Sequence, residues 1–332
     1  MMNNRQIVSY LDAYKSSHDV DQLKRVFYSL GEKDRKKAAA QLNDPNLTFP
    51  TLYTLLPEID ALDLYPLMNL RNTTALKICF KTLREDALAE HLHTENQVSN
   101  EQTYQVLKWM FYTGWREDGL SNPFDQVLDA TTALLIKKYK DQSILPTVVS
   151  EIFERNRKGY YIHDLVWCFY EARNPNALKL AARYLRSNNP EDVKLASELL
   201  HYTSEEEEEI HGNPEKKYES YLNWFQENQP YLYFTGENLQ CSSEPRAFKV
   251  DLDAKYLSKK RQSANRKSPY SLTKFEQEKL EQFHKTKDSD RKLLAKYSKQ
   301  MHSNNPQKWK EWLHADIDQQ VKYAKGQGRE AQ

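Results

Sequence analysis

Six cations fall close together in one stretch of the chain: Lys255, Lys259, Lys260, Arg261, Arg266 and Lys267, with Tyr256 and Tyr270 among them. Lysine and arginine interleaved with aromatic side chains suit contact with phosphate oxygens combined with stacking on bases. The same residues also suit an anionic protein surface, or a solvated loop that only keeps the chain soluble. A solvated face is the simplest of the three readings, followed by protein docking and then by nucleic acid.

Other reactive side chains are more scattered. His91 and His93 with Glu95 suggest a metal, but residues two apart on a helix point to different faces. Only His91 and Glu95, at i and i+4, share one, and two ligands make an incomplete site. Cys168 sits among Trp167, Phe169 and Tyr170, where a small buried hydrophobe is a better description than a nucleophile. His163, Asp164 and Glu171 read as packing and solvated positions around it. No phosphate-binding loop, GxSxG elbow, HExxH pair or calcium loop is present, and Gly326-x-Gly328 has no strand before it. Neither a cofactor nor a metal is therefore expected, and the residues lean away from an enzyme.

The elements that carry these residues read as helices. The chain has 332 residues with only 8 Gly, 39% hydrophobic and 12% aromatic residues; average glycine usage is about 7%. So little glycine disfavours folds that depend on tight turns and positive φ. Ile7, Tyr10, Leu11 and Tyr14 recur at helical spacing, as do Leu23, Val26, Phe27 and Leu30, and Gly31 then occupies a helix-terminating position. A second hairpin spans 32–43 and 46–56, interrupted by Pro45, Pro50 and Pro57. Further helices are predicted over 74–92 and 100–112. Thr273 and Glu276 fit a capping box, and 230–257 has room for a short hairpin around the alternating 247–252. The dipeptide Asn-Pro occurs at 122, 174, 189, 213 and 305, each time before a periodic apolar run. Asparagine caps a first turn and proline fits the position after it, so this is a repeated helix-start device.

Two of these starts open matching segments. Residues 174–185 align with 189–200 at an offset of 15, with Asn174/Asn189, Pro175/Pro190, Lys179/Lys194, Leu180/Leu195, Ala181/Ala196 and Leu185/Leu200 identical. Asp192–Leu200 resembles the second helix of a HEAT-type repeat, and 176–185 is a weaker copy. A spacing of 15 falls well short of the ~40 residues of a full repeat, and two successive helices sharing one motif account for it. The chain as a whole also resembles helical-repeat proteins of low-GC Gram-positive bacteria. The resemblance implies an all-α superhelix, a HEAT-like solenoid of stacked antiparallel hairpins, and a surface that binds macromolecules rather than an activity. Some HEAT-like proteins are DNA glycosylases that cradle an extruded base between aromatics and an aspartate. Trp109, Trp115 and Asp118 are the residues here that would serve.

Residues 1–202 are thus expected to form the solenoid, 203–213 an acidic loop built on Glu205–Glu209, and 214–332 an aromatic-rich, basic helical cap. Residues 246–332 carry 21 Lys+Arg against 11 Asp+Glu, a net of +10, and the remainder carries 27 against 36, a net of −9. Cys79, Cys168 and Cys241 lie far apart with no CxxC spacing, which fits a reducing compartment. With no signal-peptide pattern at residues 1–6 and no long apolar run, a cytoplasmic protein away from the membrane is expected. The leading expectation is a non-enzymatic scaffold with a protein partner. A nucleic-acid-associated protein using 255–267 is the alternative, and a HEAT-like DNA glycosylase comes third.

Overall fold

The computed structural model describes residues 8–84, 98–201, 213–237, 245–261 and 271–330. His91, His93, Glu95, Glu205–Glu209, Cys241, Arg266, Lys267 and Tyr270 lie outside the described residues. The chain is all-α, with helices packed on one another and, among the described residues, one two-stranded sheet. It divides into two compact units, 1–172 and 173–332. The matched pair at 174–200 therefore belongs with the second unit, although the sequence placed it at the end of the first.

In the first unit the helices are α1 (Tyr10–Ser17), α2 (Val20–Lys33), α3 (Arg35–Leu42), α4 (Phe49–Thr54), α5 (Leu56–Ala61), α6 (Leu70–Thr82), α7 (Asn100–Gly114), α8 (Asn122–Lys137), α9 (Leu145–Arg157) and α10 (His163–Tyr170). Most begin on a side-chain cap: Ser9, Asp19, Asp34, Asn69, Ser99 and Ser121 each accept from a backbone N–H of the first turn. Pro50 and Pro57 do not break helices. Each lies in the first turn of a short one, where a missing N–H costs nothing. Gly31 does not end α2, which runs on to Lys33 and hands over to α3 at Asp34. Instead, a Cβ at Gly31 would strike the Leu62 side chain, so its lack of a side chain serves a close approach. Gly114 does the same for α7 and α8, where Leu128 fills the space. Asp12 ties α1 to the start of α4. It accepts from Thr48 Oγ1 at 2.5 Å, Thr51 Oγ1 at 2.6 Å and the Thr48 N–H at 3.0 Å. The core between α4, α7 and α8 is aromatic, with Phe49 stacked on Phe124 at 5.4 Å between ring centroids.

The second unit holds α11 (Leu178–Ala182), α12 (Pro190–Leu200), α13 (Pro214–Asn228), α14 (Leu252–Tyr256), α15 (Lys274–His284), α16 (Asp288–Asn304), α17 (Pro306–His314) and α18 (Ile317–Glu330). Strands β1 (Leu232–Phe234) and β2 (Phe248–Val250) pair antiparallel with Tyr233 opposite Lys249, as the alternation around 247–252 predicts. The Asn-Pro device works at Asn189, Asn213 and Asn305, whose side chains cap α12, α13 and α17. At 174 it opens a 3-10 turn, and at 122 the cap is Ser121, with Asn122 already helical. The two matched segments are successive and packed together, but unequal. The second is one continuous helix; the first passes from 3-10 turn to α11 and back to 3-10 turn. Thr273 and Glu276 form the capping box the sequence predicts. Gly326 and Gly328 lie within α18, not in a loop. Tyr256, Phe283, Leu294, Ala295, Trp312 and Leu313 form the buried centre of the C-terminal helices. No described helix is long and apolar enough to cross a membrane.

Candidate functional site

A largely buried, charged constellation lies in the first unit, where the turn after α7 meets α8 and α9. Trp115–Glu117 is a 3-10 turn that brings Asp118 beneath the C-terminal end of α9. Arg155 takes Asp118 through Nη2 to Oδ1 at 2.7 Å and Nε to Oδ2 at 3.0 Å, and reaches Asp129 through Nη1. Its guanidinium also lies 4.9 Å from the Trp115 ring centroid, a cation–π contact that orients the planar group. Burial acts against this charge, but the two carboxylates outweigh it and hold the guanidinium firmly protonated.

Around this pair the carboxylates outnumber their partners. Burial, with Asp118 and Asp125 nearby, pushes Asp129 up to about 6 even though Arg155 opposes the shift. Burial and the charges of Asp118 and Glu154 push Glu151 up to about 7, with Lys158 and Arg155 opposing. Asp125 is raised by burial as well, and accepts from the Gly119 N–H at 2.9 Å. Carboxyl groups displaced in this way are characteristic of functional clefts, though structural ion-pair networks displace them too. Asp118 has no open face for chemistry: its side chain is 3% exposed and both oxygens are engaged by Arg155.

The roof over this cluster is apolar. Gly119, at φ +89°, supports the Tyr160 ring, so the loops after α7 and after α9 meet. Leu120, Tyr160 and Tyr161 are exposed there, at 37%, 47% and 66%. Tyr161, His163 and Trp167 continue along α10 with ring centroids about 6 Å apart, at 6.0 and 6.1 Å. Sequence reasoning named Trp115 and Asp118 but missed Arg155, Asp129 and Glu151. The pairs Asp125/Asp129 and Glu151/Arg155, each at i and i+4, were the only signal. Trp109 belongs elsewhere: its Nε1 donates to the Leu47 carbonyl at 2.9 Å and Arg71 covers its ring.

Among the described residues of the basic stretch, Lys255, Lys259 and Arg261 each have a different partner. Lys259 Nζ donates to Glu276 at 2.7 Å and to the Ser271 carbonyl at 2.8 Å. Arg261 binds Asp251 at 2.5 Å, both side chains nearly sealed, with its guanidinium over Tyr233. Lys255 is buried against Asn228. Lys260 is exposed, and Tyr256 is packed in the core, not displayed for stacking. Cys168 is buried on α10, and its surroundings push the thiol up to about 12. Among the described residues no group of three His, Cys, Asp or Glu is placed to hold a metal ion.

No family model, no curated protein and no solved structure matches this chain.

Proposed function

We propose that the protein is a non-enzymatic scaffold, a HEAT-like arrangement of helix hairpins that binds a protein partner through an edge of its first unit. The observation that carries this reading is the roof formed where the loops after α7 and α9 meet. Leu120, Tyr160 and Tyr161 are large and exposed on those loops, and Tyr160 lies against Gly119. Tyrosines on a rigid support are typical binding anchors, because they offer a wide contact area at little conformational cost. The support is rigid because Arg155 and Asp118 lock the two loops together underneath. The repeat reading draws on the successive packing of the two matched segments and on helices that each depend on neighbours to cover their apolar faces.

A nucleic-acid partner held by 255–267 draws less support, since Lys259 and Arg261 already face carboxylates. The glycosylase reading has less again. It requires an accessible aspartate, whereas Asp118 is paired and sealed.

The test is comparative affinity capture with cross-linking, using the intact protein and a Tyr160→Ala/Tyr161→Ala variant. A partner recovered by the wild type and lost by the variant, with unchanged circular dichroism, supports the reading. Identical sets of captured proteins would refute it.

A further inference from the structure

Of the 8 glycines in the chain only Gly119 follows an aspartate, and none follows an asparagine. An Asp-Gly pair carries chemistry of its own. The glycine main-chain nitrogen, with no Cβ beside it to crowd the approach, can attack the carboxyl carbon of the preceding side chain. A C–N bond forms, the carboxyl hydroxyl leaves as water together with the amide hydrogen, and a cyclic imide results. Water then adds to one imide carbonyl and breaks its bond to the nitrogen. Opening at Cγ restores aspartate. Opening at the main-chain carbonyl leaves the chain running through Cγ, an isoaspartyl link. Water is the only co-reactant.

The fold keeps the reacting atoms of Asp118 and Gly119 apart. Arg155 grips both carboxyl oxygens, Nη2 to Oδ1 at 2.7 Å and Nε to Oδ2 at 3.0 Å. The oxygen that must leave is thus tied to a guanidinium that Asp129 and the Trp115 ring hold in place. The Asp118 side chain is 3% exposed, which keeps out the water that would open the imide. Its backbone, at φ −56° and ψ 131°, is close to polyproline geometry and turns the Gly119 nitrogen away from the side chain. The Gly119 N–H donates to Asp125 Oδ1 at 2.9 Å, and the Tyr160 ring lies against the same glycine. We infer that Asp118-Gly119 is a latent isomerisation site, closed by the Arg155 grip and the bond to Asp125, and released whenever the turn after α7 parts from α9. Arg155 and Asp118 are 37 residues apart, so the grip is tertiary and is lost in the opened joint. An isoaspartyl link adds one carbon to the main chain directly before Gly119 and shifts the support of Tyr160. Opening therefore leaves a covalent record. This inference does not depend on a partner at the tyrosine edge.

The test incubates the intact protein at pH 6 and 37 °C, folded and in urea. Isoaspartate at position 118 is followed by electron-transfer mass spectrometry of the peptide that contains it. The folded wild type is expected to accumulate it at least about tenfold more slowly than the unfolded chain, because reaction is confined to the locally opened fraction. Arg155→Met, checked for folding by circular dichroism, should approach the unfolded rate. Arg155→Lys keeps the charge but not the two-pronged grip, and should fall between the two. If Arg155→Met does not fold, Arg155→Lys alone decides. A folded wild type that isomerises as fast as the unfolded chain would overturn the inference. So would folded Arg155 variants that isomerise as slowly as the wild type.

Discussion

Arg155 and Asp118 form a two-pronged ion pair, at 2.7 and 3.0 Å, with both side chains 3% exposed. It joins the end of one hairpin to the turn of the next. Asp118→Asn keeps the shape but leaves the guanidinium with Asp129 alone, and Arg155→Met leaves the sealed Asp118 and the half-buried Asp129 without their cation. Breaking a buried pair on one side costs about 3–5 kcal/mol. Urea unfolding monitored on the first unit should show that loss for Arg155→Met and a smaller one for Asp118→Asn. If both variants unfold with the wild type, the pair contributes nothing to the joint.

Glu151 gives the first unit a pH dependence of defined sign. Its carboxyl is raised from an ordinary 4.5 to about 7, so the folded state holds the proton more tightly than the unfolded chain. Its contribution is fully present below about pH 4.5 and is lost as pH rises through about 7. Asp129, raised from 3.8 to about 6, acts in the same direction over a lower window. Glu151→Gln removes the charge that is forced on the site. After allowance for solvent screening, a gain of roughly 1 kcal/mol is expected at pH 8. That gain should be absent at pH 5, and melting curves at the two pH values measure it. Equal stabilisation at both would show that the charge is not the cause.

Gly114 is required by contact, not by backbone angle. Its Cβ position is taken by the Leu128 side chain of the neighbouring helix, so Gly114→Ala must displace that buried side chain or push α7 and α8 apart. Overpacking of this kind costs about 1–3 kcal/mol, more than alanine returns in helix propensity. Gly159, at φ +70° with open space around it, is a control of the opposite kind: alanine there is disfavoured by conformation alone. Gly114→Ala/Leu128→Ala should recover part of the first loss. No recovery in a double-mutant cycle would place the clash elsewhere.

Cys168 should be inert in the folded protein. With its thiol pushed up to about 12, only about one molecule in ten thousand carries a thiolate at pH 8. A disulfide reagent should modify it at the rate of unfolding, rising steeply through the urea transition. Modification in the native state as fast as that of free cysteine would contradict its burial.

Helix-start chemistry is local, and for that reason the sequence disclosed it. Asn189, Asn213, Asn305 and the Thr273–Glu276 box form their bonds within one turn, so four adjacent residues are enough to read them. The all-α class follows from the same local information, as does the burial of Cys168 among its aromatic neighbours. Gly31 was misread because a glycine that closes a helix and one that admits Leu62 look identical along the chain; only the partner distinguishes them. The cations of 255–267 were grouped because they are neighbours in sequence. Folding turned Lys255, Lys259 and Arg261 toward three different partners, Asn228, Glu276 and Asp251, up to 27 residues away. Arg155, Asp118 and Asp129 come together only across 37 and 26 residues. Charges interact through space, whereas composition and spacing report only along the chain. Tertiary packing therefore decided which carboxylates, lysines and rings meet.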